Sequence, residues 1–168
     1  MINYRKATIQ DIDEIMAIIE DGRAFLKLQN SGQWQDGDPS RENILQTIKA
    51  NHFYIVLSPK GDIASVCALT YQEDDYEHPY EGGWLTDQPY MVMHRCSVKE
   101  KYRHQGYGNA LFEMFEIEAK KQGYHSIRID THEKNIPMRN LIIKNGFTYC
   151  GKTILKPNKD RMIFEKII

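Results

Sequence analysis

An α/β fold of one domain, with a mixed β-sheet and helices on both faces, is predicted by three features of this sequence. Apolar residues recur at helical spacing in some segments and alternate at period two in others. These segments follow one another in the order β, α, α, β, β, β, α, β, α, β, β. That order reads as an antiparallel first half followed by a strand, helix, strand passage whose crossover is right-handed if its strands are parallel neighbours. The length of 168 residues suits one domain with a substantial core, so residues 1–168 are taken as a single domain.

Residues 2–7 alternate as a first strand, and Thr8 with Asp11 forms a variant capping box, Asp standing where Glu or Gln is usual. Ile12, Ile15, Met16, Ile19 and Leu26 then make one apolar helical stripe, with an interruption expected near Gly22. Residues 30–39 read as a loop, and Ser40 caps a second helix carrying Ile44, Leu45 and Ile48. Phe53 to Leu57 and Ile63 to Tyr71 form a hairpin across SPKGD. A long connection follows from Glu73 to Pro89. Its acidic run from Glu73 to Glu81 and its Tyr76, Tyr80 and Trp84 are read as a lid or substrate wall. Tyr90 to Val98 is a strand, Gly106 to Gln122 a helix, and Ser126 to Asp130 a strand. Asn135 to Lys144 is a helix closed by Asn145 and Gly146, and residues 147–155 and 161–167 make a last strand pair around KPNKD.

With 22 basic and 23 acidic side chains, the net charge of −1 supplies no field that would hold nucleic acid or an anionic membrane. No apolar run approaches the roughly 18 residues of a membrane span, and the first ten residues lack a signal-peptide core, so a cytoplasmic protein is expected. Cys67, Cys96 and Cys150 have neither zinc-site nor redox-pair spacing, and no metal is expected.

The chemistry concentrates in VKEKYRHQGYGNALFEMFEIEAKKQGY. There a strand ends at Val98, and a turn with Arg103, Gly106 and Gly108 enters a helix. A helix N-terminus presents unpaired N–H groups and the positive end of a dipole, and glycines let an anion approach them. Arg103 adds a charge-assisted donor, so the turn reads as a phosphate cradle. The alternative is a tight turn serving helix packing alone. A Rossmann fingerprint is disfavoured because Leu111 stands where its third glycine belongs.

RHQGYG also matches the Arg/Gln-x-x-Gly-x-Gly/Ala signature of the GNAT acetyltransferase superfamily, and LIIKNGF at residues 141–147 resembles its L-Y-x-K-x-G-F. The resemblance is close from Tyr90 to Phe147 and extends, in element order, over nearly the whole chain. It implies a sheet that splays apart, acetyl-CoA as co-substrate, and direct acetyl transfer to a primary amine of a small molecule, peptide or protein. By matching position, Cys96, Ser97 and Val98 would offer backbone groups to the pantetheine arm. Arg103, His104, Gln105, Gly106, Tyr107, Gly108 and Asn109 would wrap the pyrophosphate. Asn135 would bond the arm, a role compatible with capping its helix. A homodimer is compatible with such folds.

The sequence departs from the family at two places. Ile142 occupies the position of the tyrosine that often protonates the departing thiolate, and the strand ending at Val98 carries His94 and Arg95 in place of an acidic base. An acyl-CoA-binding regulatory module without turnover is the alternative this raises. His94 is the first candidate for proton acceptor, directly or through water, against the equal alternative of a satisfied sheet histidine. Strand alternation places it with Cys96 on one face and Arg95 with Ser97 on the other. Arg95 either pairs with a buried acid or binds a substrate carboxylate. Tyr149 is the substitute proton donor or a packing residue. For the acceptor, Trp34 and Gln35 sit in a loop that in this family often forms one wall, although Trp34 equally reads as a core anchor. Trp84 belongs to the second wall, and His132 either borders the cleft or is a loop histidine.

Overall fold

Helix formation begins where Thr8 and Asp11 predict it. In the structure, a computed structural model describing residues 1–168, the Asp11 carboxylate accepts the Thr8 amide at 2.7 Å. Arg5 grips the same carboxylate at 2.8 and 2.9 Å, and this guanidinium holds the Asp11 pKa down to about 2. The elements in order are β1 (Tyr4–Lys6), α1 (Ile12–Leu28), α2 (Arg41–Lys49), β2 (Phe53–Leu57), β3 (Ile63–Tyr71), β4 (Glu81–Gly82), β5 (Tyr90–Val98), α3 (Tyr107–Lys121), β6 (Ser126–Thr131), α4 (Ile136–Lys144), β7 (Thr148–Leu155) and β8 (Lys159–Ile167). This is a mixed α/β fold. All the strands and helices predicted from sequence are present, and β4 is an addition.

The fold comprises two compact units, one of Met1–Leu69 with Arg95–Met114 and the other of Thr70–His94 with Phe115–Ile168. The chain passes between them within β3, β5 and α3. In the first unit β1, β2 and β3 are antiparallel neighbours, with Tyr4 opposite Val56 and Ile55 opposite Val66. Ile12, Ile15, Ile18 and Ile19 of α1 pack with Ile44 and Ile48 of α2 and with Phe53, Ile55 and Val66 of the strands. Such a stripe at helical spacing is stabilised mainly by removing apolar area from water. Contrary to the expected interruption, α1 runs unbroken through Gly22. The glycine serves a close approach: a Cβ there would lie 2.6 Å from Ser97 Oγ and 2.9 Å from the Trp34 ring.

In the second unit β5 and β6 are parallel over Tyr90↔Ser126, Met91↔Ile127 and Val92↔Arg128, and there their pairing stops. β5 nevertheless continues to Val98 and β6 to Thr131, so the two strands part, as the resemblance implies. β6 remains antiparallel to β8 along its whole length, ending at Thr131↔Met162. β8 pairs with β7, and β7 with β4. The last contact depends on two glycines, since a Cβ on Gly82 or Gly151 would lie 2.0 Å from the facing backbone oxygen.

The long connection from Glu73 to Pro89 is anchored at several points. Tyr76 is fully buried, and the Trp84 indole donates to its carbonyl at 2.6 Å. Arg128, itself buried, lies 4.0 Å from the Trp84 ring and 3.8 Å from the Tyr90 ring. It donates to the Thr86 carbonyl at 2.6 Å and to Glu165 at 3.1 Å. Glu165 also accepts the Leu85 amide and the Ser126 hydroxyl. An ion pair removed from water is tolerable when its remaining polar atoms are satisfied in this way.

Candidate active site

β5 leads out of its last residues into a short 3-10 turn, Glu100–Tyr102, and then into α3. The passage from strand to helix needs two left-handed residues, His104 at φ 61° and Gly106 at φ 90°. Glycine suits the second position, where no L side chain sits comfortably. Beside Gly106 the backbone is open, since a Cβ built there meets no atom within 4 Å. The first bond of α3 runs from the Ala110 amide to the Gly106 carbonyl at 3.0 Å, so the amides of Tyr107 and Gly108 precede the intrahelical ladder. An open, amide-lined helix head of this kind favours an anion electrostatically.

The neighbouring side chains are partly committed. Arg103 donates to the Asp21 carbonyl at 3.1 Å and lies 4.7 Å from the Phe25 ring, so α1 positions this cation. The Gln105 amide group donates to the Lys101 carbonyl. Ser97 is buried and its hydroxyl donates to the Ile18 carbonyl at 2.9 Å, so its side chain serves packing against α1. Cys96 is half-buried and forms no disulfide.

Arg95 corrects the expected alternation. Its φ of 56° puts a left-handed residue inside β5, and the two-residue period does not carry across such a kink. Its guanidinium donates to the Thr47 hydroxyl on α2 at 2.8 Å.

His94, the last residue of the second unit's part of β5, stands between two carboxylates. Its Nε2 is 3.0 Å from Glu73 Oε1, and its Nδ1 is 3.6 Å from Asp130 Oδ1. Both acids are themselves held. Glu73 accepts the Thr70 hydroxyl at 2.6 Å and its amide bonds the Tyr90 hydroxyl at 3.0 Å. Asp130 accepts the Tyr76 hydroxyl and lies 3.6 Å from Arg161 Nε. Burial, reinforced by Asp130, raises the Tyr76 phenol well above its ordinary pKa, so that hydroxyl remains a donor to Asp130. The contact of Nε2 with Glu73 is a hydrogen bond that sets the ring's orientation, and Asp130 lies near Nδ1 beyond hydrogen-bond distance.

The remaining predicted residues have partners of their own. The Tyr149 hydroxyl donates to Glu81 at 3.1 Å, and burial together with that bond pushes its pKa up. His132 accepts the Lys134 amide at its Nδ1; burial first, then Arg161, lowers its pKa. It lines a small polar depression with Lys152, Asp160 and Arg161. Asn135 caps α4, accepting the Met138 amide at 3.4 Å. Ile142 is fully buried in α4, so that position offers no proton donor. Trp34 packs against the apolar core of the first unit, and its carbonyl is held by Arg23. Gln35 is exposed and bonds the Arg23 carbonyl. Trp84 is locked in the aromatic group around Tyr76. Sequence reasoning missed Glu73 and Asp130 as partners of His94; the local signals were an acid two residues after β3 and another one residue before the end of β6.

The mixed sheet thus has a parallel pair that stops at Val92↔Arg128, and a glycine turn opens the helix that follows β5. The sequence profile of the Acetyltransferase (GNAT) family matches residues 19–147, and the chain belongs to that family. It is therefore an N-acetyltransferase. Among solved structures, a GNAT family acetyltransferase from Streptococcus agalactiae 2603 is 32% identical, with a TM-score of 0.88 over 99% of this chain and 95% of that one. A GNAT family acetyltransferase from Listeria monocytogenes 4b F2365 is 20% identical, with a TM-score of 0.76 over 99% and 95% of the two chains. A GNAT superfamily phosphinothricin acetyltransferase from Sinorhizobium meliloti, solved in complex with AcCoA, is 14% identical, with a TM-score of 0.70 over 99% and 88%. No curated protein matches the chain. No helix is long and apolar enough to cross a membrane.

Proposed function

We propose that this protein transfers the acetyl group of acetyl-CoA to a primary amine of a small molecule, peptide or protein. The observation that carries the reading is the open backbone at Gly106, directly ahead of the amides that head α3. Residues 103–109 hold the coenzyme diphosphate, with Arg103 as the charged donor. Cys96, Ser97 and Val98 offer backbone groups to the pantetheine arm, and Asn135 bonds it. The AcCoA bound to the Sinorhizobium enzyme supports acetyl-CoA as the donor here.

In the reaction the neutral amine attacks the thioester carbonyl, a C–N bond forms, and the C–S bond breaks as CoA thiolate departs. His94 accepts the amine's proton at one ring nitrogen, directly or through one water, and the flanking Glu73 and Asp130 carboxylates stabilise the imidazolium that forms. Holding the acceptor beside the thioester removes most of the entropic cost of a bimolecular encounter. Glu73, partly exposed, also gives an approaching ammonium group a carboxylate partner before it loses its proton.

The test is a screen of amines, amino acids and peptides with acetyl-CoA, in which free thiol and acetylated product are both measured. Stoichiometric thiol and acetyl-amine from at least one acceptor class is expected. Coenzyme binding without product across the whole panel would reject amine acetylation.

A further inference from the structure

Arg161 on β8 is a buried cation with few commitments. It is 8% exposed, and its guanidinium donates from Nη1 to the neighbouring Asp160 carbonyl at 2.8 Å. The Asp130 carboxylate lies 3.6 Å from its Nε, which compensates charge without forming a hydrogen bond. A guanidinium carries five N–H donors, and burying one with so few of them used is costly unless something accepts the rest. The donors left over have access to the small depression that Arg161 lines with His132 and Lys152.

The surroundings favour an anion. The β6–β8 register, carried one step past Thr131↔Met162, sets His132 opposite Arg161. The His132 Nδ1 accepts the Lys134 amide at 3.1 Å, so the proton of the neutral ring sits on Nε2 and makes that nitrogen a donor. Lys152, half-buried, adds an ammonium. Two acids share the rim, Glu133 and Asp160, but both are exposed, and Asp160 accepts the Tyr80 hydroxyl at 2.7 Å. Water and salt screen such exposed charges far more than a buried guanidinium. One side chain joins the depression to the proposed proton acceptor. Asp130 stands between them, with Oδ1 3.6 Å from His94 Nδ1 and Oδ2 3.6 Å from Arg161 Nε. An acceptor held with its amine at His94 can therefore set a carboxylate a few atoms away at Arg161. We propose that Arg161, with His132 and Lys152, binds a carboxylate of the acetyl acceptor, so that the acceptor is an amino carboxylate. This rests on the amine-acetylation reading above, with His94 as proton acceptor, and narrows its acceptor class.

The test sets the common L-amino acids, β-alanine, γ-aminobutyrate and C-terminally free dipeptides each beside its carboxamide, with acetyl-CoA and the full chain, and reads kcat and KM separately. An α-carboxamide has the less basic amine, so a preference for the acid does not arise from the fraction of neutral amine. The proposal expects each accepted acid to exceed its amide about 10- to 100-fold in kcat/KM, as for a charge-assisted contact; the single amino acids and the dipeptides show which source is preferred. Arg161→Gln should raise KM for the acids by about the same factor and leave kcat and KM for the amides near those of the parent. Arg161→Lys should restore part of the preference. Equal kcat/KM for acids and amides would overturn the proposal. So would a kcat loss in Arg161→Gln shared by both, which describes a residue that only positions Asp130. Should the Gln variant not fold, Lys152→Met is read on the same pairs, with KM expected to rise about two- to fivefold for the acids alone and an unchanged KM contradicting the proposal. Absence of acetylated product from acids and amides alike would instead refute the amine-acetylation reading beneath it.

Discussion

His94 meets a carboxylate at each ring nitrogen, 3.0 Å on one side and 3.6 Å on the other, and this arrangement makes its role separable from coenzyme binding. Replacing it by Gln should lower kcat by about 10²- to 10⁴-fold, the usual contribution of a positioned general base. The calorimetric affinity for acetyl-CoA should stay that of the parent; a matching loss of affinity would mean that His94 is a structural residue. Neither partner was legible in the sequence, because Glu73 and Asp130 lie 21 and 36 residues away in the chain and only folding brings them to one ring. His132 behaves differently. Burial and Arg161 lower its pKa, so the folded protein binds its proton less readily than the unfolded chain. The stability this group contributes is therefore complete above its ordinary value near 6.5 and falls as pH drops toward its folded pKa. His132→Asn should flatten the loss of thermal stability below about pH 6.5, and an unaltered slope in a melting series would contradict that.

At the level of elements, the sequence was most legible where periodicity is long and caps are local. Ser40 accepts the Asn43 amide at the head of α2, and Asp11 accepts the Thr8 amide before α1. The hairpin at residues 58–62 closes as its Gly and Asp predict, with the Ser58 amide on the Asp62 carbonyl at 2.8 Å. Legibility failed where a distant segment decides. β4 is two residues long and exists because Gly82 meets Gly151, 69 positions later; nothing in residues 81–82 signals it. The left-handed Arg95 is equally silent, since a charged residue in an apolar run gives no sign of a kink. Two substitutions test the element contacts. Asp11→Asn removes a carboxylate whose pKa is depressed to about 2, so its contribution is present above the ordinary Asp value and lost as pH falls through 2. We expect a cost of about 1–2 kcal/mol at neutral pH, vanishing in acid, as measured by denaturant melts at both pH values. Gly22→Ala places a methyl against Ser97 and Trp34 and should cost about 1–3 kcal/mol by overpacking; no change would show that α1 has room there.

Across the whole molecule, the order of elements and the glycine turn were readable because each depends on neighbours in sequence, and the family match covers the stretch that holds them. The carboxylates around His94 and the anchoring of residues 73–89 were not, because each is assembled from separate parts of the chain. The buried Arg128–Glu165 pair shows what that assembly is worth. Removing Glu165 as Ala leaves a guanidinium buried without its partner, and a destabilisation of about 3–5 kcal/mol is expected. The proposed chemistry rests above all on the helix head at residues 106–109. The most direct measurement is a crystal structure of the full chain with acetyl-CoA. Diphosphate oxygens within hydrogen-bond distance of the amides at the head of α3, with Arg103 beside them, are predicted. A coenzyme bound with its diphosphate elsewhere, and this turn unoccupied, would contradict it.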